Sequence, residues 1–133
     1  MDEGKASQAI LIVDDTPDII EVLTRRLSSW GYRVLAAHSG EEGIQVARAQ
    51  RPDLILLDHM MPKMKGRDAL RYLKDDPQTK DIPVIFLTAL ELPDHVKAGM
   101  ELGAEDYIVK PFDMSDLKER ITVCLARHAR PGS

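Results

Sequence analysis

The sequence predicts an α/β domain built on a five-stranded parallel sheet, and three observations carry that prediction. Leu54-Ile55-Leu56-Leu57 is an aliphatic run with no polar break that stops at Asp58. Ala9-Ile10-Leu11-Ile12-Val13 is a second such run and stops at Asp14-Asp15. Runs of this length without alternation read as strands buried on both faces, the environment of a parallel sheet covered by helices. Third, the strand-like runs alternate with stretches of helical spacing, which implies right-handed crossovers between parallel strands. Strands of such sheets deliver their last side chains to the carboxyl edge, where open α/β folds place their ligands.

Each element follows from local signals. Residues 1–8 are polar and read as a flexible N-terminal segment ahead of a domain over 9–128. Thr16 as cap and Pro17 at the first helical position start a helix directly after the acids. Ile19, Ile20, Leu23, Leu27 and Trp30 form its apolar stripe, and Gly31 ends it. Residues 33–38 form a short second strand. Ser39-Gly40-Glu41-Glu42 has the spacing of a capping box and opens a helix that packs with Ile44 and Ala47 and stops before Pro52. After the central strand, His59-Met60-Met61-Pro62-Lys63-Met64-Lys65-Gly66 reads as a loop, with Gly66 marking a turn or a helix start. Ala69, Leu70 and Leu73 line one face of the helix that follows.

Residues 82–88 are apolar until Thr88 and make a fourth strand. A helix over 94–102 is weakened by Gly99 and closed by Gly103. Residues 106–110 form a fifth strand ending in the cation Lys110. Asp113 caps a last helix with Leu117, Ile121, Cys124 and Leu125 inward, and 129–133 are a C-terminal tail. Five strand–helix units of this kind take the doubly wound, flavodoxin-like (βα)5 arrangement with strand order 2-1-3-4-5. Its switch point lies between strands one and three, which are the strands that end in Asp14, Asp15 and Asp58.

The composition of the 133 residues, 44% hydrophobic and 30% charged, is that of one globular domain. A formal net charge of −4 argues against a surface that binds nucleic acid directly. The single cysteine, Cys124, allows no internal disulfide and fits a reducing cytosol. No apolar run reaches the ~18 residues of a membrane span, and Met1-Asp2-Glu3-Gly4-Lys5 is not a signal peptide. A cytoplasmic protein without membrane contact is expected.

The residues that this topology brings to the carboxyl edge are Asp14, Asp15, Asp58, Thr88 and Lys110. Three acids crowded together repel one another and call for a cation, and an all-oxygen set suits Mg²⁺. A carboxylate can attack phosphorus to give an aspartyl phosphate, with an ammonium and a hydroxyl holding the phosphoryl oxygens. For any one of the five, a capped strand end or a structural ion pair explains as much. For all five at successive strand ends it does not.

The chain resembles the receiver domain of two-component response regulators. The resemblance rests on Asp14-Asp15, Leu57-Asp58, Met61-Pro62-x-Met64-x-Gly66, Thr88-Ala89, and Gly103-Ala104-x-Asp106-Tyr107 leading to Lys110-Pro111-Phe112, and it spans nearly the whole chain. It implies that Asp58 is the phosphoacceptor and that Asp14, Asp15, Asp58 and the Met60 backbone carbonyl hold Mg²⁺, Asp15 being a more direct ligand than Asp14. It implies also that Lys110 contacts the phosphoryl group and that Thr88 and Tyr107 are a switch pair, the ring turning inward as the hydroxyl moves toward phosphate. A cis Lys110-Pro111 bond is part of the same pattern. The implied partners are a sensor histidine kinase or histidine phosphotransfer protein, a downstream effector protein or an effector domain outside this sequence, and a phosphorylation-dependent homodimer. The implied activity is no more enzymatic than self-catalysed phosphoryl transfer and autodephosphorylation. Met60 and Leu90 occupy the positions that tune phosphoryl lifetime, and neither side chain orients water through a strong hydrogen bond.

Two other readings compete. A Mg²⁺-dependent phosphohydrolase of the haloacid-dehalogenase kind needs a second Asp two residues after the nucleophile, where this chain has Met60. A scaffold that is never phosphorylated characteristically lacks an acceptor, acid or lysine, and here all are present. Among the remaining residues, His59 reads as a solvent-facing loop position rather than a metal ligand, and Met60, Met61 and Met64 as loop packing. Cys124 reads as a small core residue, and Arg120, Arg127, His128 and Arg130 as a solvated basic face.

Overall fold

A computed structural model describes residues 8–88 and 103–128, with Thr88 by its backbone alone. Five parallel strands, β1 (Ala9–Val13), β2 (Arg33–Ala37), β3 (Leu54–Leu57), β4 (Val84–Thr88) and β5 (Asp106–Val109), pair in the order β2-β1-β3-β4-β5. The described helices are α1 (Pro17–Ser29), α2 (Gly40–Gln50), α3 (Gly66–Asp75) and α4 (Met114–Arg127). This is the doubly wound order expected. The helix expected over 94–102, with Gly99, lies outside the described residues. β4 starts two residues later than expected, and β5 ends at Val109 rather than at Lys110.

The aliphatic runs split by alternation between two cores. Leu11, Val13, Ile55, Leu57, Val84 and Phe86 point to one face, where they meet Ala47 of α2 and Ala69, Leu70 and Leu73 of α3. Ile10, Ile12, Leu54, Leu56, Ile85 and Leu87 point to the other, where Leu23 and Leu27 of α1 and Leu117 and Ile121 of α4 cover them. Successive side chains of a strand point to opposite faces, so only an unbroken apolar run supplies both cores at once. Among the described residues no helix is long and apolar enough to cross a membrane.

The helix starts follow the sequence in position but not always in chemistry. Ser39 caps α2 by accepting from the Glu42 N–H at 3.1 Å, while the Glu42 carboxylate accepts from the His38 N–H at 2.7 Å. The capping box therefore closes one residue further back than the cap itself. Asp113 caps α4 through the Ser115 N–H at 3.0 Å. Thr16 sits at the cap of α1 but makes no side-chain cap bond. Its own N–H donates instead to Asp14 Oδ1 at 2.8 Å, which orients that acid.

Candidate functional site

Register builds the site. Val13 of β1 pairs with Leu57 of β3, and the Asp58 N–H donates to the Val13 carbonyl at 2.9 Å. The next residue on each strand is an acid, so Asp14 and Asp58 emerge side by side where the strands stop. Asp14 and Asp58 are buried, Asp15 is exposed, and carboxylate oxygens of the three lie within 4.8 Å of one another. Lys110, immediately after β5, reaches across the edge and places Nζ 2.9 Å from Asp14 Oδ2. Both Asp14 oxygens are thus engaged, one by the lysine and one by the Thr16 N–H. The Lys110-Pro111 peptide bond that follows is cis.

Burial pushes the Asp58 carboxyl up to about 6. Lys110 pulls it down, and the neighbouring charges of Asp14 and Asp15 raise it further. Asp58 Oδ1 also accepts from the Met60 N–H at 3.3 Å, which favours the ionised form. A strand-end acid held in this way is an ionisable group whose charge lacks adequate local compensation. An all-carboxylate donor set of this size fits a hard dication.

Gly66 shapes the loop around that acid. Its N–H donates to the His59 carbonyl at 2.8 Å, and a Cβ there would collide with the Asp58 carbonyl oxygen and stand 2.7 Å from the His59 Cα. The glycine is needed for close approach of two backbones rather than for turn conformation.

His59 does not face solvent, contrary to its reading as a loop residue. It is buried, with its ring 5.6 Å from that of Phe86, because the Gly66 contact folds the loop back onto the sheet. Phe86 in turn lies 5.6 Å from the Tyr107 ring. These three rings connect the residue after Asp58 to the middle of β5. Tyr107 already points inward, and its hydroxyl is buried without a hydrogen-bond partner among the described residues. Burial and then the charge of Asp58 raise its phenol above the ordinary value. Phe86 was not legible as a site neighbour, since nothing distinguishes it within an apolar strand.

Met61 is buried and Met64 packs on the core, whereas Met60 is 48% exposed, two residues after Asp58. Thr88 ends β4 in register with Val109. Ala89 and Leu90 lie outside the described residues. The described residues of the basic face are exposed or half-exposed, and they also form ion pairs at the opposite, amino edge of the sheet. Arg120 contacts Asp106 at 2.7 Å and Asp116 at 3.0 Å, while Arg127 and His128 approach Glu105 at 3.4 and 3.1 Å. The acids preceding and opening β5 face α4, and neutralise what the helix alone shows as a run of cations. Arg130 lies outside the described residues.

A doubly wound parallel sheet with a carboxylate cluster at its switch point and a lysine leaning over it defines a class of α/β module with an acid site at its carboxyl edge. The chain belongs to the response regulator receiver domain family, whose model matches residues 10–122. It is 41% identical over 124 residues to "Probable transcriptional regulator ycf27" of Guillardia theta, covering 92% of this chain and 47% of that protein. It is 43% identical over 119 residues to "Probable cyclic di-GMP phosphodiesterase" of Vibrio cholerae, covering 90% of this chain and 27% of that one. Among solved structures, the receiver domain of a sensor histidine kinase from Pseudomonas aeruginosa, with a magnesium ion coordinated in its active site cleft, superposes with a TM-score of 0.84. That match has 32% identity and covers 91% of this chain and 99% of the other. The chain spans about half the length of the transcriptional regulators it matches.

Proposed function

We propose that this domain accepts a phosphoryl group on Asp58 from a phosphohistidine of a sensor histidine kinase or histidine phosphotransfer protein, and signals the change through β4 and β5. The observation that carries this reading is the single edge where a buried, raised Asp58, two further acids and Lys110 converge. Asp14, Asp15, Asp58 and the Met60 carbonyl are the residues to hold Mg²⁺. Bound there, the ion offsets the acids and the charge that develops on the transferred oxygens. The ionised Asp58 oxygen attacks phosphorus in line, and the bond from phosphorus to the donor imidazole breaks as the aspartyl phosphate forms. Lys110 moves from Asp14 to hold a phosphoryl oxygen. Thr88 supplies a hydroxyl to the same group, and Tyr107 follows as the inward member of the switch pair.

The magnesium in the related Pseudomonas receiver supports the metal assignment. The regulators matched over only half their length support an output carried on an effector domain elsewhere. A separate effector protein and a phosphorylation-dependent homodimer belong to the same proposal. The test is intact-mass analysis after incubation with acetyl phosphate and Mg²⁺. One added phosphoryl group is expected on the parent and none on Asp58→Asn, and equal labelling of both would falsify the assignment.

The lifetime of that phosphate rests on Met60 and Leu90. An aspartyl phosphate is lost when a water is placed in line, and an exposed thioether and an aliphatic side chain offer it no strong hydrogen bond. Slow self-dephosphorylation is therefore expected. Phosphate loss followed after removal of the donor should be faster in Met60→Asn with Leu90→Glu, and an unchanged rate would mean that these side chains do not control the water.

A further inference from the structure

We propose that Glu105, Cys124 and His128 form a binding site for a transition-metal dication of the zinc class, at the amino edge of the sheet and distinct from the acid cluster. The three offer different donor atoms, a carboxylate oxygen, a sulfur and an imidazole nitrogen, all within 4.8 Å of one another. Cys124 and His128 stand one helical turn apart at the end of α4, and the His128 N–H donates to the Cys124 carbonyl at 3.2 Å. Residues four apart project to the same side of a helix, so the sulfur and the imidazole face one point. Glu105 meets them from the residue before β5, held there by its N–H to the Val84 carbonyl at 2.8 Å, and its Oε1 lies 3.1 Å from His128 Nε2. Tetrahedral zinc, with bonds of roughly 2.0–2.3 Å, places its ligand atoms about 3.5 Å apart, so side-chain rotations of ~1 Å close the site.

The donor chemistry selects the ion. Thiolate and imidazole favour zinc or cobalt over magnesium, whereas the all-carboxylate cluster at the other edge has the opposite preference. The thiol is buried, and burial, reinforced by Glu105 and Asp106 against Arg127 and Lys74, pushes it up to about 11. It therefore enters as the thiol. The sulfur–metal bond forms as the proton leaves to water, and His128 coordinates in its neutral form. The dication, one thiolate and one carboxylate sum to zero charge, which tolerates the nearby Lys74 and Arg127 cations. The metal replaces the contacts that His128 and Arg127 make with Glu105. A groove of about 310 Å³ lined by Glu105, Cys124 and Arg127 gives it a path from solvent. Occupied, the site ties the last turn of α4 to the start of β5, two residues from Tyr107.

The test uses Co²⁺ as the probe, added to the protein in excess Mg²⁺ so that the acid cluster is filled. Cys124 is the only cysteine, so thiolate-to-cobalt charge-transfer absorption reports this site alone. A saturable one-to-one band is expected, displaced by Zn²⁺, abolished in Cys124→Ala, and weakened in apparent affinity by about 10-fold or more in His128→Ala and in Glu105→Gln, since losing a direct ligand costs at least what losing an outer-shell partner does. His128 lies at the helix end, so His128→Ala carries the test even where the buried cysteine variant fails to fold. No charge-transfer band in the parent, or a band of unchanged affinity in His128→Ala, overturns the proposal.

Discussion

Asp58 is an acid held in a setting that resists its ionisation. Its folded-state value of about 6 lies above the ordinary 3.8, with burial as the leading cause. The sign of the effect on stability follows. Below about pH 4 both folded and unfolded states carry the proton, and between about pH 4 and 6 only the folded state keeps it. Metal-free stability therefore falls as pH rises through that window, by roughly 1–3 kcal/mol from this group once solvent screening is allowed for. Asp58→Asn removes the charge and keeps the shape. It should raise metal-free stability at pH 7 by roughly 1–3 kcal/mol and flatten the dependence between pH 4 and 6. Urea unfolding at the two pH values in the presence of a chelator measures this, and an equally steep dependence in the variant would place the titration on another group. Mg²⁺ should act in the same direction as the substitution, because a cation bound among the three acids would stabilise the folded state by mass action.

At the scale of elements, the loop after Asp58 depends on a helix start that has no side-chain cap. α3 opens at Gly66, and the missing Cβ lets the helix sit against the backbone of Asp58 and His59. Alanine in a helix is favoured over glycine by about 1 kcal/mol, but the contact here is with backbone, which cannot rotate away. Overpacking of that kind costs about 1–3 kcal/mol or more, so Gly66→Ala should be destabilising in net terms. It should also weaken Mg²⁺ binding, since the loop that moves carries Met60 and the backbone of Asp58. Denaturant midpoints and Mg²⁺ titration of the variant test both effects. A stabilised variant with unchanged Mg²⁺ affinity would show that the loop does not depend on this approach.

Across the whole molecule, ring packing joins the acid edge to β5. The rings of His59, in the loop after β3, Phe86 on β4 and Tyr107 on β5 lie in tilted contact one after another, and burial and then the charge on Asp58 raise the Tyr107 phenol. On the function proposed above, a phosphoryl group on Asp58 would add charge and acceptor oxygens at the edge where β4 ends, and so bias Thr88 and Tyr107 between two arrangements. Thr88→Ala should accept phosphate at Asp58 yet lose most of the accompanying amide shifts in β4 and β5. Shifts of equal size with and without the hydroxyl would place the switch on other residues. Much of this architecture was legible beforehand. Unbroken aliphatic runs, the Ser39 and Asp113 caps and the apolar stripes of Leu23, Leu27, Leu117 and Ile121 are properties of neighbours in the chain, so the strands, their acidic ends and the covering helices were determined by the sequence itself. The family pattern likewise marked Asp14, Asp15, Asp58 and Lys110. Only the tertiary structure decided that Val13 lies opposite Leu57, that His59 turns inward onto Phe86, and that Arg127 and His128 meet Glu105. Register, loop direction and ion-pair choice depend on groups far apart in the chain, such as Lys110 and Asp14 at 96 positions, and local periodicity carries no record of which distant partner a side chain will meet.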